Sequence, residues 1–248
     1  MPASAQGAFR HDGGPVAVLL IHGFTGSPKS MRPWAEYLAA HDLTVRLPLL
    51  PGHATTWQEL NRTPWDDWYA TVASELADLR SRHEKVFICG LSMGGALALR
   101  LAEEQPSSVA GLVLVNPAVH TERLDRFLLP LVRNLIPSFP GISNDIKKPG
   151  QDEGAYDRLP VRASYTLTAL WGAVKRDISR VSAPLLLLRS TEDHVVEPSN
   201  AAWIIEHIAS VDKSETLLAN SYHVATLDND APQIFAESLA FIRSHAGD

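Results

Sequence analysis

Ser92 stands in the run VFICGLSMGGALALR with Gly90 and Gly94 two residues away on either side. A serine hydroxyl is a weak nucleophile alone. It needs a base to take its proton, an acid to orient that base, and donors for the oxyanion that forms. The local order is an apolar strand, then G-x-S-x-G, then a small-residue helix start, which would lift Ser92 off the strand end on a sharp turn. That turn strains the serine backbone, and side chains at the two flanking positions would collide, so glycine is required there. Gly95, Ala96 and Ala98 let the following helix lie close on the sheet.

The base must come from ten histidines. A serine presented in this way is followed in the chain by its acid and then its histidine, on loops after later strands. His11, His22, His41, His53 and His83 precede Ser92, and His120 precedes any candidate acid. His207 and His245 fall in helical patterns. That leaves His194, directly beside an acid, and His223 in the loop NSYHVATLDND. His223 occupies the slot that the chemistry requires. For the acid, PLLLLRS is followed by TEDHVV, so Glu192 and Asp193 both lie just past a strand end, and Asp228 is a more distant candidate. The N–H of Met93, next after the serine, is the first oxyanion donor. The second is expected in LLIHGFTGS, where His22-Gly23 gives a compact backbone able to turn the Phe24 N–H toward the site, with the Phe24 ring flanking an acyl pocket.

These residues need elements to hold them. Apolar runs lie at 16–21, 44–47, 85–91, 109–116, 184–190 and 215–218. The middle four are nearly continuous in Val, Leu and Ile, as strands buried on both faces of a parallel sheet must be. Helical patterns fall between them at roughly 30–41, 65–83, 93–105, 198–208 and 232–245, with Pro33, Pro198 and Pro232 at or near helix starts. Alternation of this kind predicts an α/β fold with a mostly parallel central sheet. From Pro117 to Ala183 no convincing strand is legible. Two amphipathic pieces, RLDRFLLPLVRNLI and ASYTLTALWGAVKRDISRV, flank the join PSFPGI. The interval reads as a small helical cap over the C-terminal sheet edge, where ligands of open α/β sheets bind.

Composition sets the outer limits. At 248 residues, with 45% hydrophobic and 20% charged residues, the chain reads as one domain over 1–248 with the cap inserted at about 117–183. A formal net charge of −6 without a basic stripe argues against a nucleic-acid partner. The lone Cys89 reads as a buried strand residue. MPASAQGAFRHDGG lacks a signal-peptide pattern, and no apolar run is long enough to span a bilayer, so a cytoplasmic chain with no stable membrane insertion is expected. No metal-ligand spacing and no phosphate- or dinucleotide-binding fingerprint is present, and no cofactor or metal is expected. Oligomeric state is not legible.

Taken together, AVLLIHGFTGSP, LPLLPGHATT, TPWDDWY, VFICGLSMGG and VSAPLLLLRSTEDHVV resemble the α/β-hydrolases nearly end to end. Within them the chain looks most like small bacterial carboxylesterases and monoacylglycerol lipases. The resemblance favours Asp193 over Glu192 as the acid, because the family pattern places an Asp three residues before a valine, here Val196. It implies a serine hydrolase that cleaves carboxylic esters through Ser92, Asp193 and His223 by way of an acyl-enzyme, acting on a small-molecule ester or monoacylglycerol. An apolar acyl channel would lie under the cap. KKPGQDEGAYDRLP is similar to the cap segment that contacts the glycerol head, with Glu153 as the matching acid. Two departures stand out: Ser190 ends a strand where many relatives have glycine, and the cap run RFLLPLVRNLIPSFPGI differs. The sheet reads as beginning directly at VAVLLI, so the usual first strands are expected to be short or absent. A thioesterase or amidase would use the same parts. A binding protein that keeps the fold around an apolar ligand is the reading from another class.

Overall fold

Four strands carry runs of consecutive apolar side chains, and the computed structural model, which describes residues 7–123 and 128–247, shows where the two sets go. In β2 (Val16–Ile21), Ala17, Leu19 and Ile21 face one core while Val16, Val18 and Leu20 face another. The same alternation runs through β4 (Lys85–Leu91), β5 (Gly111–Val115) and β8 (Leu185–Ser190). Successive side chains of a strand point to opposite faces, so an all-apolar strand needs helices on both sides. One face is covered by α1 (Arg32–Ala39) and α8 (Ala231–Ala246). The other is covered by α3 (Trp65–Arg80), α4 (Met93–Glu104), α6 (Val161–Asp177) and α7 (Ser199–His207).

The main sheet has seven strands in the order β1-β3-β2-β4-β5-β8-β9, with β3 spanning Thr44–Leu47 and β9 spanning Lys213–Leu218. All neighbouring pairs are parallel except β1 (Phe9–His11), which runs antiparallel to β3. Among the described residues, the expectation of short or absent first strands resolves as one strand of three residues. Because β2, β4, β5, β8 and β9 share a direction, the loops after all five emerge at one edge. Ser92, Asp193 and His223 sit there, on loops separated by up to 131 positions in sequence.

Helix ends follow local chemistry. Pro64 precedes α3, Asp66 and Asp67 occupy its first turn and Arg80 its last, a charge order that complements the helix dipole. A short helix, α2 (Trp57–Leu60), is capped by the Thr56 hydroxyl accepting from the Glu59 N–H at 3.3 Å.

The interval between β5 and β8 differs from its reading as helices alone. It holds α5, only four residues long (Leu129–Val132), and α6. It also holds a two-stranded antiparallel sheet of β6 (Ser138–Pro140) and β7 (Arg158–Pro160). Each of these strands ends in proline, which interrupts a ladder and made PSFPGI read as a join. Part of the expected amphipathic run, residues 124–127, lies outside the described residues, as do residues 1–6 of the N-terminal stretch and residue 248. Its described portion leaves Leu131 and Leu135 72% and 81% exposed. α6 is tied to the sheet-covering α4 by Arg100, whose guanidinium donates to Glu103 at 3.0 Å and to Asp177 at 2.8 Å. Among the described residues no helix is long and apolar enough to cross a membrane.

Candidate active site

The elbow comes first. Ser92 has φ 56° and ψ −117°, a conformation that L-residues rarely adopt. The surroundings hold it there. The Ser92 N–H donates to the Val115 carbonyl at 3.0 Å, and its own carbonyl accepts from Gly95 at 2.9 Å and Ala118 at 3.1 Å. Glycine is needed beside it for measurable reasons. A Cβ on Gly94 would lie 2.0 Å from the Ile21 carbonyl oxygen, and one on Gly90 would lie 2.5 Å from that of Gly94. Thr25, Asn116 and Asn144, on loops or strand ends near the same sheet edge, also have left-handed φ. Strain of this kind collects at functional sites and persists only where the neighbours over-determine it.

His223 and Asp193 meet. The imidazole Nδ1 lies 2.8 Å from Asp193 Oδ2, with both side chains under 10% exposed. Asp193 Oδ1 accepts the N–H groups of Val195 and Val196, each at 2.8 Å. Burial opposes the charged forms of both partners. Their mutual attraction and hydrogen bond overcome it, raising the His223 pKa above its ordinary value and, with those two N–H donors, lowering that of Asp193. Glu192 turns outward instead and accepts from Lys147 Nζ at 2.9 Å. Its half-exposed carboxylate is committed to that pair. His194 is also half exposed and bonds Asp145 through Nδ1 at 2.8 Å.

Asp228 has a different task from that of an acid for His223. It is buried and accepts backbone N–H groups from Lys147 (2.6 Å), Lys148 (2.9 Å), Tyr222 (2.9 Å) and Asn229 (2.8 Å). It thus fastens the 147–148 segment to the loop of His223.

The loop after β2 lies against the elbow. A Cβ on Gly23 would sit 3.4 Å from Ser92 Cβ and 3.9 Å from Ser92 Oγ, which places this stretch of backbone in van der Waals range of the serine. Phe24 follows, its ring packed 5.6 Å from that of Trp68. Met93, fully buried, opens α4, and the first N–H groups of a helix have no intrahelical acceptor. His22 fixes this loop. Its Nε2 accepts the Leu50 N–H at 3.3 Å, so Nδ1 carries the proton and donates to the Gly23 carbonyl at 3.0 Å. Burial pushes its pKa down to about 4, which keeps the ring neutral in both roles.

Glu153 turns inward from its hydrophilic stretch. Its Oε1 accepts the Asn144 N–H at 2.8 Å, and Oε2 lies 3.5 Å from where a Cβ of Gly26 would stand. Burial raises its carboxyl pKa, and the nearby His223 works in the opposite sense. The structure therefore brings Glu153 to the loop after β2 and within the field of His223.

Two further residues, Asn116 and Asp145, were not singled out by sequence reasoning, and Ser190 was noted only as a departure from the family pattern. Asn116, at the end of β5, donates to the His223 carbonyl at 2.7 Å and accepts the Ser190 N–H at 2.7 Å. The Ser190 hydroxyl donates to the Tyr222 carbonyl at 2.8 Å, which gives a use for the serine that departs from the glycine pattern. Asp145 accepts from His194 and His223 together. The signal for Asn116 was present, a polar residue closing an apolar strand. Asp145 had none, because its partners lie 49 and 78 positions away. Among the described residues no group of His, Cys, Asp and Glu is arranged to hold a metal ion. Cys89 is buried, and burial raises its thiol pKa, so it is held as the unreactive thiol.

Comparison with known proteins bears on the family and the fold. The chain is 43% identical over 242 residues to the thermostable monoacylglycerol lipase of Bacillus sp. (strain H-257), covering 96% of this chain and 95% of that one. It is 28% identical to the carboxylesterase of Bacillus subtilis (strain 168), covering 94% and 95%. A solved structure from work on the metagenome-derived lipolytic enzymes LipS and LipT superposes with a TM-score of 0.94 at 41% identity, covering 97% and 98%. The family model described as serine aminopeptidase, S33, matches residues 15–230, and the chain belongs to that family, on an α/β-hydrolase fold.

Proposed function

We propose that this protein is a carboxylic ester hydrolase of the monoacylglycerol lipase or carboxylesterase type, acting through Ser92, His223 and Asp193. The observation that carries the reading is the Asp193–His223 hydrogen bond behind a strained serine elbow. With Nδ1 engaged by Asp193, Nε2 is the nitrogen left to take the Ser92 proton. Ser92 Oγ then attacks the ester carbonyl. The oxyanion is met by the Phe24 and Met93 N–H groups, each such donor being worth about 10² to 10³ in turnover. His223, now an imidazolium stabilised by Asp193, returns the proton to the leaving alcohol. Water deprotonated by His223 releases the acid from the acyl-enzyme. No step calls for a metal or organic cofactor. The names of the full-length relatives favour an oxygen ester over a thioester or amide. The inward carboxylate of Glu153 supports a role in holding the glycerol hydroxyls of a monoacylglycerol.

The test compares wild type with Ser92→Ala on chromogenic esters from acetyl to lauryl, together with a monoacylglycerol. Losing the serine of a triad that acts as a unit costs on the order of 10⁶ in kcat. Activity that collapses in the variant supports the reading, and the optimum chain length sizes the acyl site. Wild type that turns over no ester faster than the variant overturns it and favours a ligand-binding protein.

A further inference from the structure

Asp145 belongs to the segment between β6 and β7, yet all its partners lie on the loops that carry the acid and the base. Its Oδ2 accepts the backbone N–H of His223 at 3.1 Å and that of His194 at 3.2 Å. Its Oδ1 accepts from His194 Nδ1 at 2.8 Å, and its carbonyl accepts from Val224 at 3.1 Å. The side chain is only 10% exposed. Each contact is to His223 itself or to a residue directly adjacent to His223 or Asp193. The preceding Asn144 is held in left-handed φ and makes two hydrogen bonds with Glu153, one in each direction. The segment is thus rigidly seated before Asp145 reaches across.

We infer that Asp145 is a positioning residue for the acid–base pair: its carboxylate clips the loop after β9 to the loop after β8, fixing the main chain from which the His223 ring projects. The inference rests on the reading of Ser92, His223 and Asp193 given above. The His223–Asp193 bond joins two side chains and does not itself tie one loop backbone to the other. Asn116 and Ser190 restrain the His223 loop through its carbonyl groups from the sheet side, and Asp145 restrains it through its N–H from the opposite side. A displacement of about 1 Å in such a site costs on the order of 10² in rate.

The carboxylate also adds charge. The acids facing His223 are Asp193, Glu153 and Asp145. Around them, Glu192 is paired with Lys147, His194 faces Asp145, Glu192 and Asp193, and Asp228 is occupied by backbone N–H groups. Removing the Asp145 charge therefore lowers the His223 pKa, while an amide at that position keeps an oxygen acceptor for the two N–H groups.

Asp145→Ala and Asp145→Asn separate position from charge. Both are assayed on a butyrate ester, as kcat, KM and the pH profile of kcat/KM, beside Ser92→Ala and a thermal unfolding scan. Asp145→Ala is expected to lose about 10- to 100-fold in kcat with KM changed less than about threefold. Asp145→Asn is expected to recover most of that loss while its acidic limb moves down by roughly half a unit. Asp145→Ala with wild-type kcat and an unmoved acidic limb overturns the inference, as does Asp145→Asn equally impaired to the alanine variant. If the alanine variant does not fold, Asp145→Ser, whose hydroxyl is too short to reach both N–H groups, decides: a loss of kcat with KM little changed supports the inference and a wild-type kcat overturns it. If Ser92→Ala keeps its activity, the underlying reading fails whatever Asp145 does. If Ser92→Ala is dead and the Asp145 variants match wild type, only this inference fails.

Discussion

His223 illustrates how magnitudes compete at a single residue. Its burial opposes the imidazolium, and the Asp193 carboxylate at 2.8 Å more than compensates, so the folded pKa lies above the ordinary value. A general base works only when neutral. In the proposed mechanism kcat/KM therefore rises with pH through the His223 pKa, and the acidic limb is expected above about 6.5, the unperturbed histidine value. Asp193→Asn removes the negative charge and the tautomer control. It is expected to lower kcat by about 10⁴ and to move the acidic limb down, read from a pH series on one ester. An acidic limb left in place by Asp193→Asn would mean that another group sets it. Ser92 was legible because its chemistry is local, an elbow between glycines, and the strand end after 184–190 offered two carboxylates, of which the family pattern favoured Asp193. The choice between Glu192 and Asp193 was not local. In the fold Lys147 draws one outward and His223 takes the other.

At the level of elements, two glycines inside helices make opposite predictions. Gly94 in α4 passes so close to β2 that an added Cβ would stand 2.0 Å from the Ile21 carbonyl oxygen and 2.9 Å from that of His22, both backbone atoms unable to yield cheaply. Gly172 in α6 has nothing within 4 Å of such a Cβ. Gly94→Ala is expected to destabilise by about 1 to 3 kcal/mol or more as α4 is forced off the sheet. Gly172→Ala is expected to stabilise by roughly 0.5 to 1 kcal/mol through helix propensity alone. Denaturant midpoints of the two variants check this, and shifts of the same sign would refute it. Sequence reasoning anticipated the close packing of the G-x-S-x-G helix, since small residues after a strand have a direct steric meaning. It did not anticipate β6 and β7. Three-residue strands ending in proline have no alternation to read, and their pairing joins segments well apart in the chain.

In the proposed function the molecule as a whole separates a sheet that carries the chemistry from an insertion that meets the substrate. Segment 144–153 enters the site by two routes, Asp145 to the His223 loop and Glu153 to the loop after β2. In the proposed function the second route reads the alcohol part of the ester. Glu153→Ala is accordingly expected to lower kcat/KM for a monoacylglycerol about 10-fold relative to kcat/KM for a glycerol-free butyrate ester, the cost of a hydrogen bond to a charged group. An unchanged ratio would remove Glu153 from substrate recognition. The neighbouring cap surface is apolar and open, with Leu128, Leu131, Leu135 and Ile142 each more than half exposed. The net charge of −6 gave no hint of that patch, because composition averages over the surface.

The sequence by itself determined the sheet core, the elbow and the order of the proposed catalytic groups. Nearly continuous apolar runs, glycine sterics and helix-start prolines act over a few residues, so their consequences can be read from a few residues. Only the tertiary structure decided which carboxylate serves which partner. Asp193 binds the His223 ring, Asp145 its backbone, Asp228 the adjoining loop and Glu192 a surface lysine. These four acids look alike in the chain. They differ because a charge or hydrogen bond acts through a few ångströms of space, and parallel strands bring loops from distant parts of the sequence into that range.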